Sequence, residues 1–355
     1  MSTSLAPSSA APRSRQRLGQ RFEQYTQIGV TVLLLVIMLI AGRLLYPNFT
    51  SGQAIVDLLG KNVFLIPLAI GMTFVILSGG IDLSVGAVMA LGSVIAASLL
   101  QAGWSPALVV PIVLLAASTL GLVVGIMISR FEIQPFIATL AAMFLARGLC
   151  LVITDRSIAI DDGFFQSMNL AHINLWEQET VNLRGRVRVS DVYTTPSVVI
   201  AMAVLVVAFV VLHYSRFGRT VYAVGGNEPS ARLMGLRVDR TKISVYVISG
   251  LCAGIAGLLF AFYTASGDPV AGIGYELNAI AAVVIGGTLL SGGSGYVLGS
   301  MLGVLVLATI YAYKEFDGDL NTGWTRVMIG VLVLFFIVLQ RLVVTRRLVA
   351  ARRRR

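Results

Sequence analysis

The chain has 355 residues, of which 57% are hydrophobic and only 12% are charged. Soluble domains carry about a quarter charged residues, so this composition excludes an ordinary soluble protein and indicates a chain that crosses a membrane several times. The formal net charge is +10, but the basic residues concentrate at the two ends and between residues 216 and 242. Because these segments flank apolar runs, the charge indicates cytoplasmic anchoring and not a nucleic-acid partner.

In chain order, the sequence predicts a disordered basic cytoplasmic tail over residues 1–26, a membrane domain over 27–340 and a second basic cytoplasmic tail over 341–355. With the N-terminus inside, an even number of spans places both termini and the basic loop 215–242 in the cytoplasm, and the polar loop 155–194 outside. The fold class is therefore an all-α polytopic membrane protein with about ten transmembrane helices, near residues 27–46, 61–79, 84–101, 107–129, 135–154, 195–214, 243–264, 278–293, 296–313 and 323–340.

The segment "GMTFVILSGGIDLSVGAVMALG" holds Asp82, the only charged residue between Lys61 and Arg130. A buried unpaired charge is costly, so this carboxylate must be paired, wetted or placed near a membrane surface. The sequence leaves three roles open. Asp82 caps the helix that begins near Leu83, close to water, or it is a polar contact within the membrane domain, or it is an ionisable site for a proton or another ion.

The same region has an echo later in the chain, because "LSGGIDLSVG" (77–86) and "LSGGSGYVLG" (290–299) share Leu-Ser-Gly-Gly and a later glycine. The glycines are explained either by close packing of helices or by helix breaks whose backbone lines a polar path. On the second interpretation, the candidate path residues are Ser78, Gly79, Gly80, Asp82, Ser291, Gly292 and Gly293.

The basic loop contains a helix with clear ends. Asn227 is a good N-cap, Pro229 is tolerated in the first turn and Gly235 is a good residue for the C′ position, which predicts a helix over 228–234. A helix of two turns is not stable by itself in water, so it must pack on its own membrane domain or on a partner. Its apolar residues are Ala231, Leu233 and Met234. The alternative is a solvated loop whose charge only sets the topology.

We find no motif for catalysis. The two cysteines lie in apolar runs without metal-ligand spacing, and none of the lysines Lys61, Lys242 and Lys314 completes a Walker A motif. We therefore expect no catalytic residue and no metal site, which excludes most enzyme classes. Arg147 is the second charge inside an apolar run, and it either extends towards the membrane surface or pairs with Asp155.

Three motifs taken together resemble a known family: "GMTFVILSGGIDLSVG", "VYAVGGNEPSARLMGL" and "AVVIGGTLLSGGSG". They are similar to the membrane permeases of bacterial sugar ABC importers, in the ribose branch, and the match runs in order over most of residues 28–340. The stretches "RSIAI", "FDGDLNTGW" and "FFIVLQR" most resemble galactofuranose permeases. The long basic C-terminal tail and the outer segment "NLRGRVRVSD" depart from the family pattern.

The resemblance implies a non-catalytic permease in the bacterial inner membrane. Its expected partners are a cytoplasmic ABC ATPase that carries ATP and Mg²⁺, a periplasmic sugar-binding protein and a second permease, with a heterodimer expected and a homodimer possible. No cofactor is expected on this chain. The short cytoplasmic helix would dock on the ATPase through a motif of Gly225, Gly226, Asn227, Glu228, Ala231 and Gly235. The alternative function is an ion-coupled secondary sugar transporter that uses Asp82.

Overall fold

The protein is described here by a computed structural model, which covers residues 13–352 except for residues 47, 182–186 and 319–321. Over these residues the chain forms fourteen helices and four short strands. The helices are α1 (Arg13–Leu45), α2 (Gly52–Gly60), α3 (Leu65–Leu77), α4 (Val85–Gln101), α5 (Pro106–Arg130), α6 (Pro135–Ile153), α7 (Gly163–Leu170), α8 (Pro196–Tyr214), α9 (Arg216–Gly226), α10 (Glu228–Leu233), α11 (Val238–Thr264), α12 (Tyr275–Ile285), α13 (Val297–Asp317) and α14 (Thr322–Arg352).

Six of these helices are long and apolar enough to cross a membrane, and the bent pair α2 and α3, which meet at 55°, would make a seventh span. Three further apolar helices, α4, α12 and the part of α14 over Gly323–Leu339, are shorter than a full span. An all-α membrane bundle was predicted and is confirmed. The predicted span near 61–79 contains α3, which follows a bend at residues 61–64, and the predicted span near 278–293 contains most of α12, which ends at Ile285.

The predicted tails fall partly on described residues. The backbone of residues 13–26 belongs to α1, and that of residues 341–352 belongs to α14. The remaining tail residues, 1–12 and 353–355, lie outside the described residues, as do residues 182–186 of the outer segment that departs from the family pattern.

Helix α11 lies at the centre of the bundle and packs on α3, α4 and α5. Small residues allow this approach. A Cβ atom at Gly121 of α5 would collide with the backbone carbonyl of Tyr246, and one at Gly250 would collide with that of Ala117. Inside a membrane, where lipid tails are as apolar as side chains, such close backbone packing is a main source of helix association.

One end of the bundle, which we call the hairpin end, carries α2, α7 and the antiparallel hairpin of β2 (Ile173–Val181) and β3 (Val187–Thr194). The hairpin is attached to α2, because Tyr193 donates its backbone N–H to Gln53 Oε1 at 3.0 Å. The strands β1 (Ile158–Ala159) and β4 (Ser266–Gly267) pair nearby. The opposite end, the loop end, carries residues 78–84, 215–237 and 286–296.

Candidate functional site

The loop end contains α10, the short helix predicted from its caps. Asn227 Oδ1 accepts a hydrogen bond from the backbone N–H of Ser230 at 2.8 Å, so the predicted N-cap is confirmed. At the other end Gly235 has a φ of +77°. The N–H of Gly235 donates to Arg232 O at 3.0 Å and that of Leu236 donates to Ala231 O at 3.1 Å. This pair of bonds is a Schellman motif, which explains why glycine stands at this position.

The apolar residues of α10 point in two directions. Ala231 is fully buried and packs with Val224 and Val238, which hold the helix against its own chain. Leu233 and Met234 are 89% and 69% exposed. The single apolar face expected from these residues is therefore split, since only Ala231 faces the bundle. Two large apolar side chains are left at the surface of the loop end.

Ion pairs fix α10 to the first turns of α11. Glu228 Oε2 lies 2.6 Å from Lys242 Nζ, and Arg232 lies 2.9 Å from Asp239 Oδ1 and 3.3 Å from Glu228 Oε1. Partial burial raises the pKa of Glu228, but the hydrogen bonds and charges of Lys242 and Arg232 outweigh it and hold the pKa below its ordinary value. The ion pairs of Glu228 therefore stabilise the folded protein at pH values above the pKa that Glu228 has in the unfolded chain. This stabilisation is lost as the pH falls through the pKa that Glu228 has in the folded protein.

Three distant segments meet beside α10 in what we call the glycine junction, defined by Gly79, Gly225, Gly292 and Gly293. The N–H of Gly293 donates to Leu77 O at 2.9 Å. A Cβ atom at Gly225 would collide with Leu77 O and lie 2.8 Å from Gly293 N, and one at Gly292 would lie 2.9 Å from Gly225 O. The junction therefore joins the end of α9 to both Leu-Ser-Gly-Gly segments through backbone atoms.

Both Leu-Ser-Gly-Gly segments interrupt helices. The φ values of Gly79 and Gly292 are +86° and +84°, a conformation that favours glycine. The break after α3 and the break after α12 both lie at the loop end, so close packing and a helix break both describe these glycines, and the polar path stays a prediction. Tyr222 of α9 strengthens the contact, because its hydroxyl donates to Gly295 O at 2.7 Å. Tyr222 and Leu77 were not recognised from the sequence.

Asp82 lies inside the bundle. The capping role requires a position near water, and Asp82 does not have one. It is only 3% exposed. Its Oδ1 accepts from the N–H and hydroxyl of Ser84 at 2.9 and 2.6 Å, and its Oδ2 accepts from Ser249 Oγ at 2.7 Å. Ser84 occupies the N-cap position of α4, but its side chain makes no capping hydrogen bond. At about 1.5 Å per residue, Ser249 lies about 16 Å from the start of α11 at Val238. Because Asp82 bonds to Ser249, the chain after α3 runs from the loop end back into the bundle.

The other candidate path residues differ in their exposure and in the groups that they contact. Ser78 is buried and donates its hydroxyl to Val75 O of its own helix at 2.8 Å. Gly80 lies against the hydroxyl of Tyr246. Ser291 is exposed. The structure thus brings Gly79, Gly292 and Gly293 together and places Gly80 and Asp82 against α11, whereas Ser78 bonds to its own helix.

Arg147 follows neither of the alternatives considered for it. Its guanidinium Nη1 donates to Pro269 O at 3.0 Å and to Ala271 O at 2.5 Å. These carbonyls belong to the connection between α11 and α12, so the charge holds that loop in place. No group of three or more His, Cys, Asp or Glu residues that could hold a metal ion occurs within the described part of the chain.

Apolar helices of spanning length, two glycine breaks and a capped helix at the loop end define a multi-pass membrane protein. The sequence model of the family described as "Branched-chain amino acid transport system / permease component" matches residues 54–337, and the chain belongs to this family. No solved structure matches the chain.

Several curated proteins are similar over most of their length. The inner membrane ABC transporter permease protein YjfF of Escherichia coli (strain K12) is 42% identical over 83% of this chain and 86% of its own. The fructose import permease protein FruG of Bifidobacterium longum (strain NCC 2705) is 38% identical over 97% and 98%. The ribose import permease protein RbsC of Bacillus subtilis (strain 168) is 36% identical over 86% and 90%.

The chain is therefore the permease component of an ABC transport system and a multi-pass protein of the inner membrane. It is a non-catalytic subunit, since ATP hydrolysis in such systems belongs to a partner ATPase, and these permeases also work with a substrate-binding protein. The comparisons give no support to the ion-coupled alternative.

Proposed function

We propose that this chain forms the path of an importer for a monosaccharide, with galactofuranose or a related sugar as the substrate. Relatives at 33–38% identity are named for the import of fructose and ribose and for the transport of L-arabinose. Three stretches, at residues 156–160, 316–324 and 335–341, resemble galactofuranose permeases. This resemblance favours galactofuranose over the sugars for which the relatives are named.

The glycine junction is the observation that carries the mechanism. In our proposal the ATPase receives α10 through the exposed side chains of Leu233 and Met234. The coupling residues are Gly225, Gly226, Asn227, Glu228, Ala231 and Gly235. Because Gly225 touches Leu77 O and Gly293 N directly, a push on α10 is passed to both helix breaks without a flexible side chain between them. ATP and Mg²⁺ act on the partner ATPase, and the sugar crosses without chemistry.

The breaks would form the inner part of the path, with Ser78, Gly79, Gly80, Asp82, Ser291, Gly292 and Gly293 as the candidate residues. Asp82 already accepts three hydrogen bonds from Ser84 and Ser249. In this conformation we therefore assign it to holding the first break in shape, while the exposed Ser291 is available to a solute. We also propose a second, different permease as the partner in the membrane, with a homodimer as the alternative, and a periplasmic sugar-binding protein at the hairpin end.

Purification of the detergent-solubilised chain with its bound proteins, followed by sugar uptake in proteoliposomes, tests the function. We expect an ATPase and a second permease to co-purify, and uptake to require ATP on the side of the ATPase. Mass spectrometry of the complex separates a heterodimer from a homodimer. Uptake that follows an ion gradient without ATP would overturn the proposal.

Substitution of Gly235 tests the coupling role of α10. Gly235→Val places a β-branched residue at a φ of +77°, which breaks the Schellman motif. We expect ATP hydrolysis to continue while uptake falls by about tenfold or more, with normal insertion into the membrane. Gly235→Asn is the matched control, because asparagine tolerates this conformation, and it should retain most of the uptake. Coupled transport by Gly235→Val would contradict the role.

A further inference from the structure

A cavity of about 380 Å³, with several polar side chains in a mainly apolar wall, lies at the hairpin end between α2, α11 and α13. Its polar lining includes Asp57, Lys61, Asn62, Tyr263, Tyr311 and Glu315. Pockets for small ligands measure about 300–1,000 Å³ and combine apolar walls with a few placed polar groups. The cavity is at the small end of that range, which suits a ligand with a single ring.

The charged and polar side chains of the cavity use only some of their hydrogen-bonding atoms in contacts with the protein. Lys61 forms an ion pair with Glu315 through Oε1, and Asp57 Oδ1 accepts from Gln53 Nε2 at 2.7 Å. Asn62 donates to Leu58 O at 3.2 Å. Within the described residues, the second carboxylate oxygens of Asp57 and Glu315 and the amide oxygen of Asn62 accept no hydrogen bond. Three acceptors are therefore available to the hydroxyl groups of a ligand.

The charge and the aromatic residues of the lining further limit the class of ligand that the cavity can bind. Asp57, Lys61 and Glu315 together give the lining a net charge of −1, which disfavours an anion. Tyr263 and Phe316 line the cavity and remain partly exposed. Aromatic rings next to hydroxyl-accepting groups are suited to a molecule with apolar ring faces and polar edges. A neutral sugar has both properties.

A second cavity of about 130 Å³ shares Asp57, Lys61 and Tyr263 with the first. It extends past these residues to Asn169 of α7 and to Thr195 and Ser197 at the start of α8. The shared residues therefore lie between two adjoining cavities at the end of the bundle that carries the hairpin. This arrangement favours a site that a solute enters from that side, since a purely structural ion pair needs no such space.

We propose that the cavity between α2 and α13 is a monosaccharide-binding site at the outer mouth of the permease, with Asp57, Asn62 and Glu315 accepting hydrogen bonds from sugar hydroxyls. The site rests on the proposed function and adds to it a place where the sugar is held after it leaves the binding protein. It is separate from the helix breaks, which lie at the loop end.

Cysteine protection in the assembled transporter tests the site. Ala54→Cys and Ala312→Cys place a thiol in the lining, and Leu170→Cys on α7 is the matched control because this exposed residue lines neither cavity. The native Cys150 and Cys252 are buried, so the background of a membrane-impermeant maleimide is low. D-galactose, D-fructose, D-ribose and L-arabinose serve as probes, with D-galactonate as an anionic comparison.

We expect at least one neutral sugar to slow labelling of Ala54→Cys and Ala312→Cys by about fivefold or more, with no effect on Leu170→Cys and less protection by D-galactonate. Asp57→Asn and Glu315→Gln should raise the sugar concentration needed for protection by about tenfold, as expected for lost hydrogen bonds to charged groups. Asp155→Asn, on an exposed loop outside the cavity, should leave it unchanged.

Two failures remain distinguishable. If the complex imports sugar with ATP but no sugar slows labelling at either position, or neither thiol reacts from outside, the binding site is wrong and the proposed function stands. If the complex imports none of the sugars with ATP, the proposed function itself fails. Because either cysteine position is sufficient, loss of expression of one variant does not prevent the result.

Discussion

The two ends of this molecule are held together in different ways. At the loop end, α9 and the two helix breaks meet through backbone atoms, as in the hydrogen bond from Gly293 N to Leu77 O. At the hairpin end, the contacts beside the cavity between α2 and α13 are made by side chains. Tyr46, Phe49, Tyr313 and Phe316 form an aromatic cluster with ring centroids 4.8–6.2 Å apart. The ion pair of Lys61 and Glu315 lies beside it.

This difference indicates how each end can function. Backbone contacts cannot relax by a change of rotamer, so they transmit displacement but do not tolerate added atoms. Side-chain contacts can rearrange, and substitutions there change one interaction at a time. The loop end is thus suited to conversion of an ATPase movement into a change of the path. The hairpin end is suited to recognition, where a new sugar or binding protein requires different side chains on the same backbone.

The largest effect is expected for Gly225→Ala, because the added methyl group collides with Leu77 O and approaches Gly293 N. We expect a loss of stability of about 3 kcal/mol, at the upper end for overpacking, and at least a tenfold loss of uptake. Gly226→Ala is the matched control for stability, because a Cβ there meets no atom within 4 Å and the same residue is added one position away. Thermal unfolding of the purified complex and ATP-driven uptake measure both effects. Equal losses in the two variants would show that the junction is not the sensitive contact.

The two breaks themselves can be compared through Gly79 and Gly292, which both have a positive φ. Alanine costs about 1–2 kcal/mol in this conformation at either position. At Gly292 the Cβ would also lie 2.9 Å from Gly225 O and 3.0 Å from Gly79 Cα, whereas at Gly79 the nearest atom is 4.0 Å away. Gly292→Ala should therefore lower the unfolding temperature and the uptake rate more than Gly79→Ala. The reverse order would contradict the arrangement of the junction.

The parts of this fold that depend on neighbours in sequence could be predicted, and those that depend on distant contacts could not. The caps of α10 are local, so Asn227 and Gly235 identified both ends of the helix. The glycine junction joins residues more than sixty positions apart, and glycine frequency alone does not distinguish packing from a break. For the same reason Ser249 could not be recognised as the partner of Asp82, nor the carbonyls of Pro269 and Ala271 as partners of Arg147.

A smaller effect is expected for Asp82→Asn. The Asn carbonyl oxygen can still accept from Ser84, and its amide can donate to Ser249 Oγ, which can reverse its role as donor. We expect a loss of no more than about 1 kcal/mol and retained uptake. Asp82→Ala is the contrasting variant, since it leaves the buried hydroxyls of Ser84 and Ser249 without this acceptor, and it should cost about 2–3 kcal/mol. Loss of uptake in Asp82→Asn with normal stability would show that the negative charge itself is required.

The smallest effect is expected for Tyr46→Phe at the hairpin end. This change removes the hydrogen bond from the Tyr46 hydroxyl to Asp317 Oδ1, which is 2.7 Å long and exposed, and it keeps the ring that packs on Phe49 and Phe316. We expect a loss of about 0.5 kcal/mol and unchanged uptake, because water replaces the lost partner. Asp317→Asn removes the charge but leaves an acceptor, so it should be equally mild. Thermal unfolding compares both with Gly292→Ala. If Tyr46→Phe were as destabilising as Gly292→Ala, the hairpin end would be as intolerant as the loop end, and the division between recognition and transmission would fail.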